Sequence, residues 1–189
     1  MTQIVDKARQ LFYDTIKPFQ DVYGLVNHLP EMEKWARFMI KKHDEADAEV
    51  ILLSVWLHDI GHYPVQENVD HAVTGEKIAR AFLEKEGYDS EKILKVLHCV
   101  RAHRCRDVMP NIIEAKIIAC IDSASHMTDS IYFDIARNHK SGQTSYNALE
   151  KIERDYRDIS VFPEIRDEMQ ELYDAWKKLL VAYNKINIK

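Results

Sequence analysis

The sequence predicts an all-α fold, a single helical bundle with additional N- and C-terminal helices. Three observations carry that expectation. Glycine and proline are scarce, five of each in 189 residues, and most fall at segment boundaries. Apolar residues recur at three- and four-residue spacing in one stretch after another. The most apolar stretch, from Val50 to Leu57, is apolar nearly all round and reads as part of a helix buried on most sides.

Taken in order, a first helix spans about Thr2 to Ile16, with Ile4, Val5, Ala8, Leu11 and Phe12 on one face, and Lys17-Pro18 ends it. A second covers about His28 to His43, where His28 shares a face with Met32, Trp35 and Met39. The third, about Asp47 to Ile60, stops at Gly61. A looser stretch, Tyr63 to Asp70, leads into a helix from about His71 to Gly87. Ser90 is placed to cap the next, which carries Ile93, Leu94, Val96, Leu97 and Val100. Pro110-Asn111 opens a helix holding Ile113, Ile117, Ile118 and Ile121. From Tyr146 onward two more helices follow, the last with Ile165, Met169, Leu172, Trp176, Leu179 and Tyr183 on one stripe. No repeat or linker interrupts the chain, so residues 1–189 read as one domain with a core over about 20–130 and C-terminal helices over about 146–186.

Composition narrows the function classes. At 46% hydrophobic the chain can fill a sizeable core. A net charge of −5 argues against a nucleic-acid backbone as the main partner. Cys99, Cys105 and Cys120 are odd in number and form no CxxC pair, which disfavours a disulfide framework or a thiolate zinc site. The N-terminus lacks an apolar run of signal-peptide length, and the longest apolar stretches are far too short to cross a bilayer. The expectation is a soluble cytoplasmic protein with no membrane partner.

The informative feature is His58-Asp59, a titratable pair closing the most apolar helix. A bare carboxylate buried there is costly, and a cation is an efficient compensation. A water-facing helix end is the plainer alternative. The histidine distribution tips the balance: five of nine, His58, His62, His71, His98 and His103, fall between 58 and 103, mostly at the ends of apolar stretches. Neutral imidazole is the commonest protein metal ligand. His98, within Val96-Leu97-His98-Cys99-Val100, is equally compatible with a hydrogen-bonded core residue. His43, His126 and His139 have polar neighbours and read as surface.

The pattern Asn27-His28-Leu29, then Leu57-His58-Asp59-Ile60-Gly61-His62, then Ile121-Asp122-Ser123 resembles the HD superfamily of metal-dependent phosphohydrolases. The resemblance covers about half the chain, His28 to Asp122. It implies a divalent ion (Mn, Fe, Zn, Co, Ni or Mg), one or two in number, held by His28, His58, Asp59 and Asp122. His62 and the run His71-Ala72-Val73-Thr74-Gly75 are similar to the HD triphosphohydrolases, where the matching histidines serve phosphate groups and the leaving oxygen. They are equally similar to the two-metal HD phosphodiesterases, where histidines like His71 and His103 hold a second metal. The implied activity is hydrolysis of a phosphate ester or nucleotide by metal-activated water, with Asp59, His62 and His71 as catalytic groups. Arg101, Arg104, Arg106 and Lys116 flank His103 and are candidates to grip phosphate, with a solvated helix end as the competing reading. The implied partner is a small phosphate-containing molecule, nucleotides included, and a homo-oligomer is left open.

Three departures bear on substrate. The Gly-Tyr-Pro motif of the cyclic-dinucleotide phosphodiesterases is missing, Gly61-His62 stands where alarmone hydrolases carry Glu-Asp, and the chain is shorter than the nucleotide triphosphohydrolases. They leave two further readings: a catalytically silent regulatory module that binds metal and ligand, and an oxygenase with a di-iron site.

Overall fold

The structure, a computed structural model, describes residues 2–142 and 147–186. The expected helix start at Tyr146 lies outside the described residues. Among those described there are nine helices and no strand, and none of the helices is long and apolar enough to cross a membrane. The chain packs as two units, Met1–Ala119 and Cys120–Lys189.

The first unit is built around α3 (Ala48–Leu57), which packs against α1 (Gln3–Ile16), α2 (Leu25–Ile40) and α5 (Ser90–Ala102). Val50, Ile51, Leu53, Val55, Trp56 and Leu57 are all buried. Each such side chain stabilises the fold by about 1.5–3 kcal/mol. Asp47 starts the helix by accepting from Glu49 and Val50 N–H. Glu33 of α2 ties three helices together, accepting from Arg9 of α1 (2.7 Å), Arg37 (2.9 Å at Nε) and the Trp56 indole of α3 (2.9 Å). After a short 3-10 turn (Ile60–His62), α4 (His71–Lys85) runs back against that turn and against α5.

Helix boundaries differ from the sequence expectations where side chains outside the periodic pattern do the capping. α2 begins at Leu25, not His28, because the Asp21 carboxylate accepts from Leu25 N–H (3.0 Å) and Val26 N–H (2.9 Å); it ends at Ile40, before His43. α3 ends at Leu57, not Ile60: His58 closes it and Asp59 breaks to φ −105° before the 3-10 turn. Asp89, not Ser90, caps α5, accepting from Lys92 N–H at 2.9 Å.

α6 (Ile113–Met127) starts in the first unit and continues into the second. The second unit then holds α7 (Ile131–Lys140), a helix the periodicity did not indicate, α8 (Ala148–Ile159) and α9 (Pro163–Lys185), which pack on one another. On α9 the buried stripe is Ile165, Met169, Tyr173 and Leu180, while Leu172 and Leu179 face outward. The expected stripe was therefore one residue out of phase in its later turns. Cys99, Cys105 and Cys120 form no disulfide.

Candidate metal centre

The centre forms where two helices end. His58 closes α3 and His103 closes α5, and both use the same local device. The His58 Nδ1–H donates to the Val55 carbonyl at 2.9 Å, and the His103 Nδ1–H donates to the Val100 carbonyl at 2.7 Å. A carbonyl can only accept, so each imidazole, when neutral, carries its proton on Nδ1 and presents a lone pair at Nε2. That is the tautomer a metal ligand needs, fixed by the backbone of its own helix.

Four imidazole Nε2 atoms converge on Asp59, itself only 8% exposed. His58 Nε2 stands 3.4 Å from Oδ2, and the Nε2 atoms of His62, His71 and His103 stand 3.5, 3.4 and 3.5 Å from Oδ1. His71 and His103 Nε2 are 3.3 Å apart. These separations exceed the usual N–H···O range of about 2.7–3.2 Å. They suit donors sharing one cation, since ligands at about 2.1 Å from a common ion stand roughly 3.0–3.5 Å from each other. The Asp59, His62 and His71 ligand atoms lie within 4.8 Å of one another. Imidazole and carboxylate donors, converging and buried, fit a divalent transition ion.

Without a cation, burial works to raise the Asp59 pKa, and positive charge and hydrogen bonds from the facing imidazoles of His58 and His62 in their protonated form outweigh it and hold the carboxyl well below its ordinary value; a bound cation would take the place of that positive charge and leave the rings neutral. Burial pushes His71 down to about 4, so its ring is neutral at physiological pH. The buried Cys99 thiol is pushed up to about 12 and takes no part as a thiolate.

Gly61 sets the approach of the 3-10 turn to α4. A Cβ at Gly61 would lie 2.1 Å from the His71 carbonyl oxygen and 2.4 Å from the Gly75 nitrogen; one at Gly75 would lie 3.3 Å from the His58 carbonyl oxygen. These glycines let the His71 backbone approach the motif, with Asp70 capping α4 through Ala72 N–H (2.9 Å). The sequence reading gave Gly61 only a helix-stopping role.

The remaining candidates divide. His28 is buried on α2 with its ring centroid 5.7 Å from that of His58. Asp122 lies on α6 in the second unit, where its carboxylate faces His126 Nε2 at 3.6 Å. His126 also lies 3.4 Å from Asp155, which accepts from Lys151 (2.9 Å) and Tyr132 (2.7 Å). His126 thus belongs to a largely buried charge cluster, contrary to the surface reading; its i, i+4 spacing from Asp122 was the available signal. Arg101 pairs with Glu76 and Asp107, and Arg104 with Asp70 and Asp107. Lys116 stands half-buried in the first turn of α6. His98 Nε2 accepts from Asn111 N–H at 3.3 Å, so the ring is hydrogen-bonded, but it is half-buried and not the core residue of that alternative.

No curated protein and no solved structure gives a significant match to the chain. The HD domain family does match, over residues 6–127. That span covers well over half of the chain and contains every histidine around Asp59 as well as His28 and Asp122. The chain belongs to the HD domain family, whose characteristic members are metal-dependent phosphohydrolases.

Proposed function

We propose that the protein is a metal-dependent phosphohydrolase acting on a small phosphate ester, nucleotides included. The observation that carries this reading is the convergence of four Nε2 atoms on the Asp59 carboxylate at 3.4–3.5 Å. His28, His58, Asp59 and Asp122 are the proposed primary ligands, the last on the strength of the family pattern. His71 and His103 extend the set toward a second ion.

A divalent ion in this position supplies a Lewis acid for the phosphoryl group and an acidified water as nucleophile. The chain's own groups do the rest. Asp59 binds at the centre of the imidazoles and orients the attacking water. His71, neutral because burial lowers its pKa to about 4, acts as a lone-pair donor. His62, the half-buried outer imidazole, is left to deliver a proton to the leaving oxygen. His58 and His103, held by their own helix carbonyls, keep a fixed aim and need no reorganisation.

The alternative, a silent regulatory module that binds metal and ligand, is favoured by one observation: Arg101 and Arg104 direct their charges at Glu76, Asp70 and Asp107. One experiment separates the two. The protein loaded with Mn²⁺, Co²⁺, Ni²⁺, Zn²⁺ or Mg²⁺ is screened against nucleotides and generic phosphoesters beside Asp59→Ala. Turnover lost in the variant supports the hydrolase. Phosphate ligands retained without product support the silent module.

A further inference from the structure

One group of side chains beside the centre is not used by this chemistry. Tyr23, between α1 and α2, lies against His62 with ring centroids 4.3 Å apart. His62 in turn stacks on His71 at 3.8 Å and 15°. The Tyr23 ring is tilted by 41° to that of His62, and the three rings form a contiguous row that ends at Asp59. Tyr23 and Phe19 are each 43% exposed, and Val22 beside them is 58% exposed. Both rings rest on the buried Tyr63, Phe19 at 5.8 Å and Tyr23 at 5.9 Å between centroids.

The segment carrying them is held in place before any ligand arrives. The Asp21 carboxylate accepts from Leu25 N–H, Val26 N–H and the Tyr63 hydroxyl (2.8 Å). That carboxylate is the one negative group between Phe19 and Gly24, and its oxygens are engaged in these bonds. An ordered aromatic rim, its one carboxylate engaged by groups of the chain itself, therefore continues outward from the imidazoles. Exposed aromatic rings beside a polar centre suit the flat, apolar part of a ligand whose polar end lies in that centre.

We infer that the substrate carries a planar aromatic group on the same molecule as its phosphate, attached directly as in aryl phosphates or through a sugar as in nucleotides, and that Tyr23 binds that group by stacking. This rests on the phosphohydrolase reading and narrows its substrate class. Tyr23 is then a specificity residue, distinct from the groups that hold the metal.

The test uses phosphonates, whose C–P bond is not hydrolysed, so that binding is read without turnover. Benzylphosphonate and cyclohexylmethylphosphonate are matched in size and differ in planarity. With saturating Mn²⁺, calorimetry on the wild-type protein should show benzylphosphonate binding about fivefold tighter. In Tyr23→Ala the ratio should fall to about one, in Tyr23→Leu it should fall likewise, and in Tyr23→Trp it should persist. Because Tyr23 is exposed, these variants are expected to fold, and equal melting temperatures would verify it. A role confined to propping His62 would weaken both ligands equally and leave the ratio intact. An unchanged ratio in Tyr23→Ala, or a ratio near one in the wild type, overturns the inference while leaving the phosphohydrolase reading standing. Failure of both phosphonates to bind overturns both readings.

Discussion

Replacing Gly61 by alanine puts a methyl group where the structure has no room. The added Cβ would sit 2.1 Å from the His71 carbonyl oxygen and 2.4 Å from the Gly75 nitrogen. Non-bonded heavy atoms prefer about 3.5–4.0 Å, so the 3-10 turn and α4 must separate by roughly 1 Å or more. Both obstacles are backbone, so no side-chain rotation relieves the clash. Overpacking typically costs about 1–3 kcal/mol, and a backbone clash belongs at the upper end. For a chain of this size about 3 kcal/mol corresponds to a drop of roughly 6–12 °C in melting temperature. The same displacement carries His71 away from Asp59, now 3.4 Å distant, so metal affinity should fall as well. Thermal melts with and without Mn²⁺ read both effects. Gly87→Ala is the control: its added Cβ meets nothing within 4 Å but must adopt φ +68°, so it should cost about 1 kcal/mol and leave the metal-induced stabilisation unchanged. A Gly61→Ala protein melting within about 2 °C of wild type, with the same metal response, would refute the close-approach argument.

Three other outcomes follow from the same structure. Glu33→Gln removes the negative charge that two arginines and the Trp56 indole share; breaking such a pair costs about 3–5 kcal/mol when fully buried, and the half-exposed arginines reduce this to about 2 kcal/mol, readable as a lowered urea midpoint at unchanged slope. Asp158 is pushed up to about 6, first by burial and then by Asp155 and Asp122. Its folded-state pKa lies above its unfolded value near 3.8, so the stability held below about pH 4 is lost as pH rises toward 6. Asp158→Asn should therefore raise the melting temperature at pH 7.5 and leave it unchanged at pH 3.5; an equal shift at both would refute the titration. In nitrogen-15 spectra of the metal-free protein, the neutral rings of His58 and His103 should both show protonated Nδ1, and an Nε2–H signal from either would contradict the tautomer assigned from Val55 and Val100.

The fold class and the centre of the site were legible for one reason. Val50 to Leu57 is so apolar that His58-Asp59 at its end demands an explanation, and the spacing to His28 and Asp122 supplies the family. Other features were hidden because their signal is not periodic. α7 is ten residues long with two buried side chains, Tyr132 and Ala136, too short a pattern to stand out. The ends of α2 and α3 depend on Asp21 reaching forward and on Asp59 leaving the helix, neither of which alters hydropathy. Tyr23 carries no motif; its relation to His62 exists only once the loop is fastened to Tyr63. His103 was named through resemblance, whereas its aim at Asp59 comes from one side-chain-to-carbonyl bond at the end of α5.

The central claim is that Asp59 organises a metal centre, and metal content tests it most directly. Wild-type protein and Asp59→Asn, purified in parallel from Mn²⁺- or Zn²⁺-supplemented cultures and dialysed, are analysed by elemental mass spectrometry at known protein concentration. The structure predicts at least one equivalent of divalent transition metal in the wild type, approaching two if His71 and His103 hold a second ion, and little in the variant. Equal metal content in the two proteins, or none in either after direct loading, would contradict it.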